Sequence, residues 1–276
     1  MKSLRLVMAA LRPILASASL ATFAQIPHAE ETPIAVQMYT LRSMASLEEQ
    51  LQAVQAAGIT KVETVGKQGV SAETLNALFK HYSIEPVSMH VSLDSLRDDF
   101  DALVAFNKEI GNALLVVPYA ANPTDADGWR ALGKALGAAA EQVAEAGLVL
   151  AYHNHDFELV DFDGKTGLEL LFEAASPALK AEIDVAWVAK AGHDPVTVLR
   201  QFSDRLVTIH AKDSAAEGQS DNEIGMADVG AGVLDWDAIL STCKEAGVQW
   251  YIIEHDLPPD PAASIKASAA FLKKHL

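Results

Sequence analysis

Residues 113–153 read ALLVVPYAANPTDADGWRALGKALGAAAEQVAEAGLVLAYH. Two short apolar runs, ALLVVP and LVLAYH, flank one long stretch with helical periodicity. Strand-like runs that alternate with helical patterns imply a parallel sheet, and their unbroken apolar character implies burial on both faces. Ala146-Gly147 ends the helical stretch, and glycine there supplies the left-handed cap that turns the chain back into the sheet.

The same unit repeats in both directions. Upstream, IAVQMY (34–39) precedes SLEEQLQAVQAAG, TKVETV (60–65) precedes SAETLNALFKHY, and IEPVSMH (84–90) precedes SLRDDFDALVAFNKEIG. Downstream, LVLAYH is followed by TGLELLFEAA, KAEID (180–184) by DPVTVLRQF, LVTIH (206–210) by LDWDAILSTCKEAG and QWYIIE (249–254) by AASIKASAAFLKKHL. The Ala-Gly punctuation recurs at Ala57-Gly58 and Ala246-Gly247. Eight β–α units in 276 residues match a single (β/α)₈ TIM barrel, expected over residues 25–276. An open dinucleotide-binding sheet is disfavoured, because QMYTLRS after the first strand lacks glycine. The longest irregular stretch, AKDSAAEGQSDNEIGMADVGAGV, follows the seventh strand and is a candidate lid over the barrel mouth.

Residues 1–24 stand apart from this pattern. MKSLRLVMAALRPILASASLATFA carries Lys2, Arg5 and Arg12, then an Ala-rich apolar run, then small residues, the order of a secretory signal peptide. A cleaved leader predicts a periplasmic or secreted protein. No other run is long and apolar enough to span a bilayer. The formal charge of -16 argues against nucleic acid and anionic membranes, which need clustered Lys and Arg. The expected partner is a small carbohydrate, with self-association into a homo-oligomer left open. The single cysteine, Cys243, lies in a helical pattern and reads as a buried structural thiol.

Chemistry concentrates at the strand ends, which converge on one mouth in a barrel. Asp184 ends KAEID, His210 ends LVTIH, and Glu254 ends WYIIE. With Glu158, just past the fifth strand, they form a mixed O/N set suited to Mn²⁺, Mg²⁺, Co²⁺ or Zn²⁺. The fifth-strand ligand is read as Glu158, with His153 the alternative. Glu182 shares the strand face of Asp184 but lies deeper and reads as structural. Glu158 and Glu254 are the candidate base and acid. Lys212 either stabilises a developing enolate or pairs with Asp213. Gln37, His90, His153 and His155 are expected to face the cavity and bind substrate hydroxyls. Trp187 reads as an apolar wall against a sugar ring or as packing under the sixth helix.

The stretches VQMYTLR, YHNHDFEL, EIDVAWVAKAGHDP, IHAKD, GVLDW and YIIEHD resemble those of the sugar phosphate isomerase/epimerase family, the xylose isomerase-like TIM barrels. The resemblance runs from about Ile34 to Leu276 and implies a divalent metal held by Glu, Asp, His and Glu at the fifth to eighth strand ends. In this sequence that set falls on Glu158, Asp184, His210 and Glu254. Many relatives carry the fifth-strand Glu at the strand end itself, where this sequence has Tyr152-His153. Relatives also often have Gly-Glu-Gly at Gly230-Ala231-Gly232. The expected activity is a metal-dependent sugar isomerase or epimerase working by proton transfer next to a metal-bound carbonyl. A lyase or dehydratase acting on a 3-keto-glycoside or inosose would use the same enolate. A non-catalytic carbohydrate-binding barrel is the reading from another class.

Overall fold

The computed structural model describes residues 32–162, 164–219 and 223–276. The expected leader, residues 1–24, lies outside the described residues, as do residues 25–31. Eight parallel strands close into a barrel. They are β1 (Ile34–Gln37), β2 (Lys61–Val65), β3 (Glu85–His90), β4 (Leu114–Val117), β5 (Val149–His153), β6 (Lys180–Asp184), β7 (Leu206–Ala211) and β8 (Trp250–Ile253). Pairing of β1 with both β8 and β2 completes the ring. The helices that cross between strands are α1 (Leu47–Ala56), α2 (Ala72–Tyr82), α3 (Phe100–Glu109), α4 (Ala126–Glu145), α5 (Gly167–Ala174), α6 (Pro195–Gln201), α7 (Trp236–Ala246) and α8 (Pro261–His275).

Local chemistry starts and stops these helices. Ser46, Ser71, Asp125, Asp235 and Asp260 each accept a hydrogen bond from a first-turn backbone N–H. Thr166 and Glu169 form a reciprocal capping box at α5. Gly58, Gly147 and Gly247, of the three Ala-Gly pairs, take left-handed φ values of 67°, 80° and 75°. The expected turn chemistry is present at each.

Strand alternation sorts the core into two shells. One face of the strands, including Val36, Met89, Val117, Tyr152, Ile183, Ile209 and Ile253, packs against the helices. The other face fills the barrel with Ala35, Val87, Trp250 and Ile252 on one side and Leu114, Val116 and Ala151 on the other. Beyond these apolar plugs the interior turns polar. Gln37, Glu63, Ser88, His153, Glu182, Asp184, Thr208, His210 and Glu254 are all buried.

Two register shifts shape that polar layer. One lies between β2 and β3, where Val62 pairs with Pro86 but Glu63 pairs with Ser88. The other lies between β6 and β7, where Ala181 pairs with Leu206 but Glu182 pairs with Thr208. An extra residue in one strand resets the alternation of every side chain after it. Ser88 and Thr208 are thereby brought inward, and so are His90 and His210 two residues later.

The outer layer depends on close helix contact. Gly133 on α4 faces the backbone of α5, where an added Cβ would lie 2.1 Å from the Leu171 carbonyl oxygen. Backbone cannot swing aside as a side-chain tip can. Gly133→Ala is therefore expected to lower stability by about 1–3 kcal/mol, read as a reduced urea midpoint. An unchanged midpoint would show that α4 and α5 separate at no cost.

The long loop after β7 is fastened where it leaves and rejoins the fold. Asp213–Ser214 pairs antiparallel with Met226–Ala227. The Asp213 carboxylate accepts hydrogen bonds from the backbone of Ser214, Gly230 and Leu234 and from Trp236 Nε1. Residues 220–222 of the expected lid lie outside the described residues.

Candidate active site

The ends of β6, β7 and β8 build the first of two charged cages. Asp184, His210 and Glu254 each bring one donor atom within 4.8 Å of the others. His210 Nδ1 lies 3.2 Å from Glu254 Oε2 and 3.8 Å from Asp184 Oδ2. Lys212, fully buried, enters the same cage, with Nζ 2.9 Å from Asp184, 2.5 Å from Glu254 and 2.5 Å from Asp256. Asp184 Oδ1 accepts from the backbone of Ala186 and Trp187, which fixes the carboxylate. Its Oδ2 has the Lys212 ion pair but no hydrogen bond.

Electrostatics follow from this crowding. Burial would raise the Glu254 carboxyl, but Lys212 and His210 hold it well below the ordinary carboxylate range. Burial lifts Asp184 to about 6 against the pull of Lys212. Burial would also lower the Lys212 ammonium, and the three carboxylates around it reverse that and raise it. Three carboxylates face the Lys212 ammonium and a His210 imidazole raised well above its ordinary value by Glu182 and Glu254, which leaves the cage net negative, and one oxygen lacks a hydrogen-bond donor. Asp184, Glu254 and the imidazole therefore fit a divalent ion in donor type and in charge.

A second cage lies beside the first, toward β2, β3 and β5. His90, His153, Glu182 and His210 each offer a donor atom within 4.8 Å of the others. His90 Nε2 is 2.9 Å from Glu63 Oε1 and 3.3 Å from Glu182 Oε1. His210 Nε2 is 2.7 Å from Glu63 Oε1 and 3.1 Å from Glu182 Oε1. His210 thus presents one ring nitrogen to each cage. Burial would lower His90, yet Glu63 and Glu182 raise it to about 9. His153 is driven well below its ordinary value by burial and by His210.

Above both cages opens a cavity of about 460 Å³. Its floor includes His90, His153 and Glu254, and its walls include Tyr39, Val65, Tyr119, His155 and Asp256. His155 is held down to about 4 by burial and by Lys212, so its imidazole is neutral at pH 7.

The sequence model of the xylose isomerase-like TIM barrels matches residues 51–275, most of the chain. The chain belongs to this family. A crystal structure of a sugar phosphate isomerase/epimerase from Parabacteroides distasonis superposes with a TM-score of 0.74 at 20% identity, covering 91% of this chain and 96% of that one. The rhizopine catabolism protein MocC of Rhizobium meliloti is 26% identical over 147 residues, 49% of this chain and 45% of its own length. An inosose dehydratase of Lacticaseibacillus casei is 26% identical over 150 residues, 49% of this chain and 50% of its own length. The match therefore spans about half the length of these two relatives.

Within this xylose isomerase-like barrel, the expected site residues divide. Asp184, His210 and Glu254 meet, and Lys212 joins them and not Asp213. His90, His153 and His155 line the cavity. Gln37 lies beneath it, donating to Glu63 at 2.6 Å and accepting from Tyr39 N. Trp187 packs with Ala186, Met226 and Ile224, its ring 5.3 Å from Lys212 Nζ, and is not among the residues lining the cavity.

Glu158 is the correction. Its carboxylate accepts from Tyr152 Oη at 2.9 Å and from His155 N at 2.8 Å. Tyr152 sits between His153 and Ala151, which face inward, so it points to the helices and holds Glu158 behind the sheet. The fifth strand brings His153 to the centre in its place. Glu63 and Glu182 are the residues whose part the sequence reading missed. The signal was there in both, a carboxylate inside a strand next to apolar neighbours in KVETV and KAEID.

Burial raises Glu158 from an ordinary 4.5 to about 7, opposed by the two hydrogen bonds it accepts. The native state then holds this proton at pH values where the unfolded chain releases it. Stability from this group is complete below about pH 4.5 and is lost as pH rises to about 7. Glu158→Gln cannot ionise and escapes that loss. Relative to wild type it should gain about 3 kcal/mol between pH 4.5 and 8, measured by urea unfolding at several pH values. A constant difference across that range would show that Glu158 titrates normally.

Proposed function

We propose that the chain is a divalent-metal-dependent enzyme that moves a proton at the carbon beside a carbonyl in a sugar, keto-sugar or cyclitol. The observation that carries this reading is the meeting of Asp184, His210, Glu254 and Lys212 beneath a cavity of sugar size. Asp184, His210 and Glu254 would hold the metal, which when bound polarises the substrate carbonyl. Glu254, kept ionised and bordering the cavity, takes or returns the proton. Lys212, kept protonated by the carboxylates around it, lies beneath the cavity and not in its lining; from there it holds Glu254 ionised and lends positive charge to the site. The neutral imidazoles of His153 and His155 orient hydroxyls, and Tyr39 and Tyr119 give the substrate aromatic walls. Among the described residues, those lining the cavity include neither Lys nor Arg. That favours a neutral substrate, as would the exported location proposed from the leader.

Epimerisation and isomerisation are the first reading. Elimination of water or of a glycosidic group is the second, and one observation favours it. Both carboxylates lining the cavity, Glu254 and Asp256, follow β8, while Glu158 faces away. A proton taken and returned from one side supports loss of a β-substituent more readily than inversion. Product NMR on a panel of keto-sugars, inososes and 3-keto-glycosides, each free and phosphorylated, tests both readings. An epimer or isomer supports the first and a new C=C bond the second. Turnover of phosphorylated substrates alone overturns the substrate class.

A further inference from the structure

The cage beside β2 and β3 is built twice from one plan. β2 carries Lys61-Val62-Glu63 and β6 carries Lys180-Ala181-Glu182. The next strand in each case is shifted in register, and then reads Ser88-Met89-His90 or Thr208-Ile209-His210. Ser88 donates to Glu63 at 2.5 Å and Thr208 donates to Glu182 at 2.8 Å. The two strand pairs sit four places apart in an eight-strand ring, so they face each other across the barrel axis. Each histidine meets its own glutamate and the opposite one. Their rings lie nearly parallel, 11° apart in plane with centroids 5.5 Å apart.

We infer that this cage is a divalent-cation site of its own, formed by His90, His153, Glu182, His210 and Glu63, and sharing only His210 with the Asp184–Glu254 cage used in the proposed function. Three observations carry it. First, each Nε2 faces two carboxylate oxygens at similar distances between 2.7 and 3.3 Å, where an ordinary ion pair would choose one. Donors around an ion with bonds of about 2.0–2.2 Å lie about 3 Å from one another. Second, His153 Nδ1 is buried, lies 3.2 Å from Glu182 Oε1, and has no hydrogen-bond partner. Third, an ion that displaces the protons of His90 and His210 leaves two carboxylates and neutral imidazoles, whose charge balances a divalent cation. With Nε2 on an ion, His210 Nδ1–H donates to Glu254 at 3.2 Å, the carboxylate–imidazole–metal arrangement that orients metal-binding histidines. His90 and His153 border the cavity and give the ion an entry path. Three imidazoles select Zn²⁺, Co²⁺, Fe²⁺ or Mn²⁺ over Mg²⁺ or Ca²⁺.

The test uses the full chain, stripped with chelator and titrated with Co²⁺. X-ray absorption of the unmutated Co²⁺ complex should show two or three imidazoles, where the Asp184–Glu254 cage supplies only one. His90→Gln and His153→Gln should weaken one Co²⁺ site by about 100-fold or more and leave a second, and Asp184→Asn and Glu254→Gln should weaken only that second site. Circular dichroism checks that each variant folds, and the unmutated spectrum decides the matter if the histidine variants do not. One imidazole in that spectrum, or binding lost in Asp184→Asn but unchanged in His153→Gln, overturns the inference and leaves the proposed function standing. Binding lost in the histidine variants alone supports the inference and removes the Asp184–Glu254 metal from the proposed function. No Co²⁺ binding by the unmutated chain overturns both.

Discussion

Glu254→Gln is expected to lower kcat by about 10³–10⁴-fold, with KM little changed and the fold intact. Glu254 is the buried carboxylate that touches both the cavity and the charged cage. Lys212 and His210 keep it ionised at neutral pH, so it is ready to accept a proton. Glutamine keeps the volume and one acceptor oxygen for Lys212, but it has no basic site. Asp184 and Asp256 still flank the ammonium in the variant, which is why folding should survive. Kinetics on the substrate found by product NMR, with circular dichroism as the folding check, measure this. A loss below tenfold would remove Glu254 from the chemistry.

The second large effect concerns stability. Lys212→Met should cost about 3–5 kcal/mol at pH 8, because it removes the one ammonium shared by three carboxylates and leaves His210 as the remaining cation beside Asp184 and Glu254. Asp184 is fully buried and Glu254 nearly so. Their folded-state pKa values then rise above those of the unfolded chain. The loss is thus small at low pH, where both states hold the protons, and grows as pH rises through the carboxylate range toward 8. A divalent ion bound by the first cage would replace the missing charge, so added Mn²⁺ should return part of the stability. Urea unfolding at pH 5 and pH 8, with and without Mn²⁺, reads all of these effects. A pH-independent loss would mean that Lys212 contributes packing alone.

The parts of this site that could be read from sequence share one property. Asp184, His210 and Glu254 each end an apolar strand, and a closed barrel sends strand ends to one place. Glu158 fails for a local reason. The turn after β5 places it against Tyr152 Oη, and alternation had already turned Tyr152 toward the helices. Ser88 and Thr208 were hidden because their inward orientation depends on register shifts, which arise from strand pairing and leave no mark in a single strand, whereas Glu63 stood in KVETV as a carboxylate among apolar neighbours. His90 was expected in the cavity, but its tie to Glu63 and Glu182 crosses from β3 to β2 and β6. The eight β–α units were legible throughout, since each strand is short and followed by a helical pattern, most of the helices opening on a side-chain cap.

Proton removal next to a carbonyl by this cluster can be followed by hydrogen exchange without knowledge of the final product. The metal-loaded chain is incubated in D₂O with keto-sugars, inososes and 3-keto-glycosides and followed by proton NMR. Wild type should replace one carbon-bound hydrogen beside the carbonyl with deuterium in at least one substrate, and Glu254→Gln should not. Turnover with no solvent deuterium at that carbon, or equal exchange by both proteins, would contradict it.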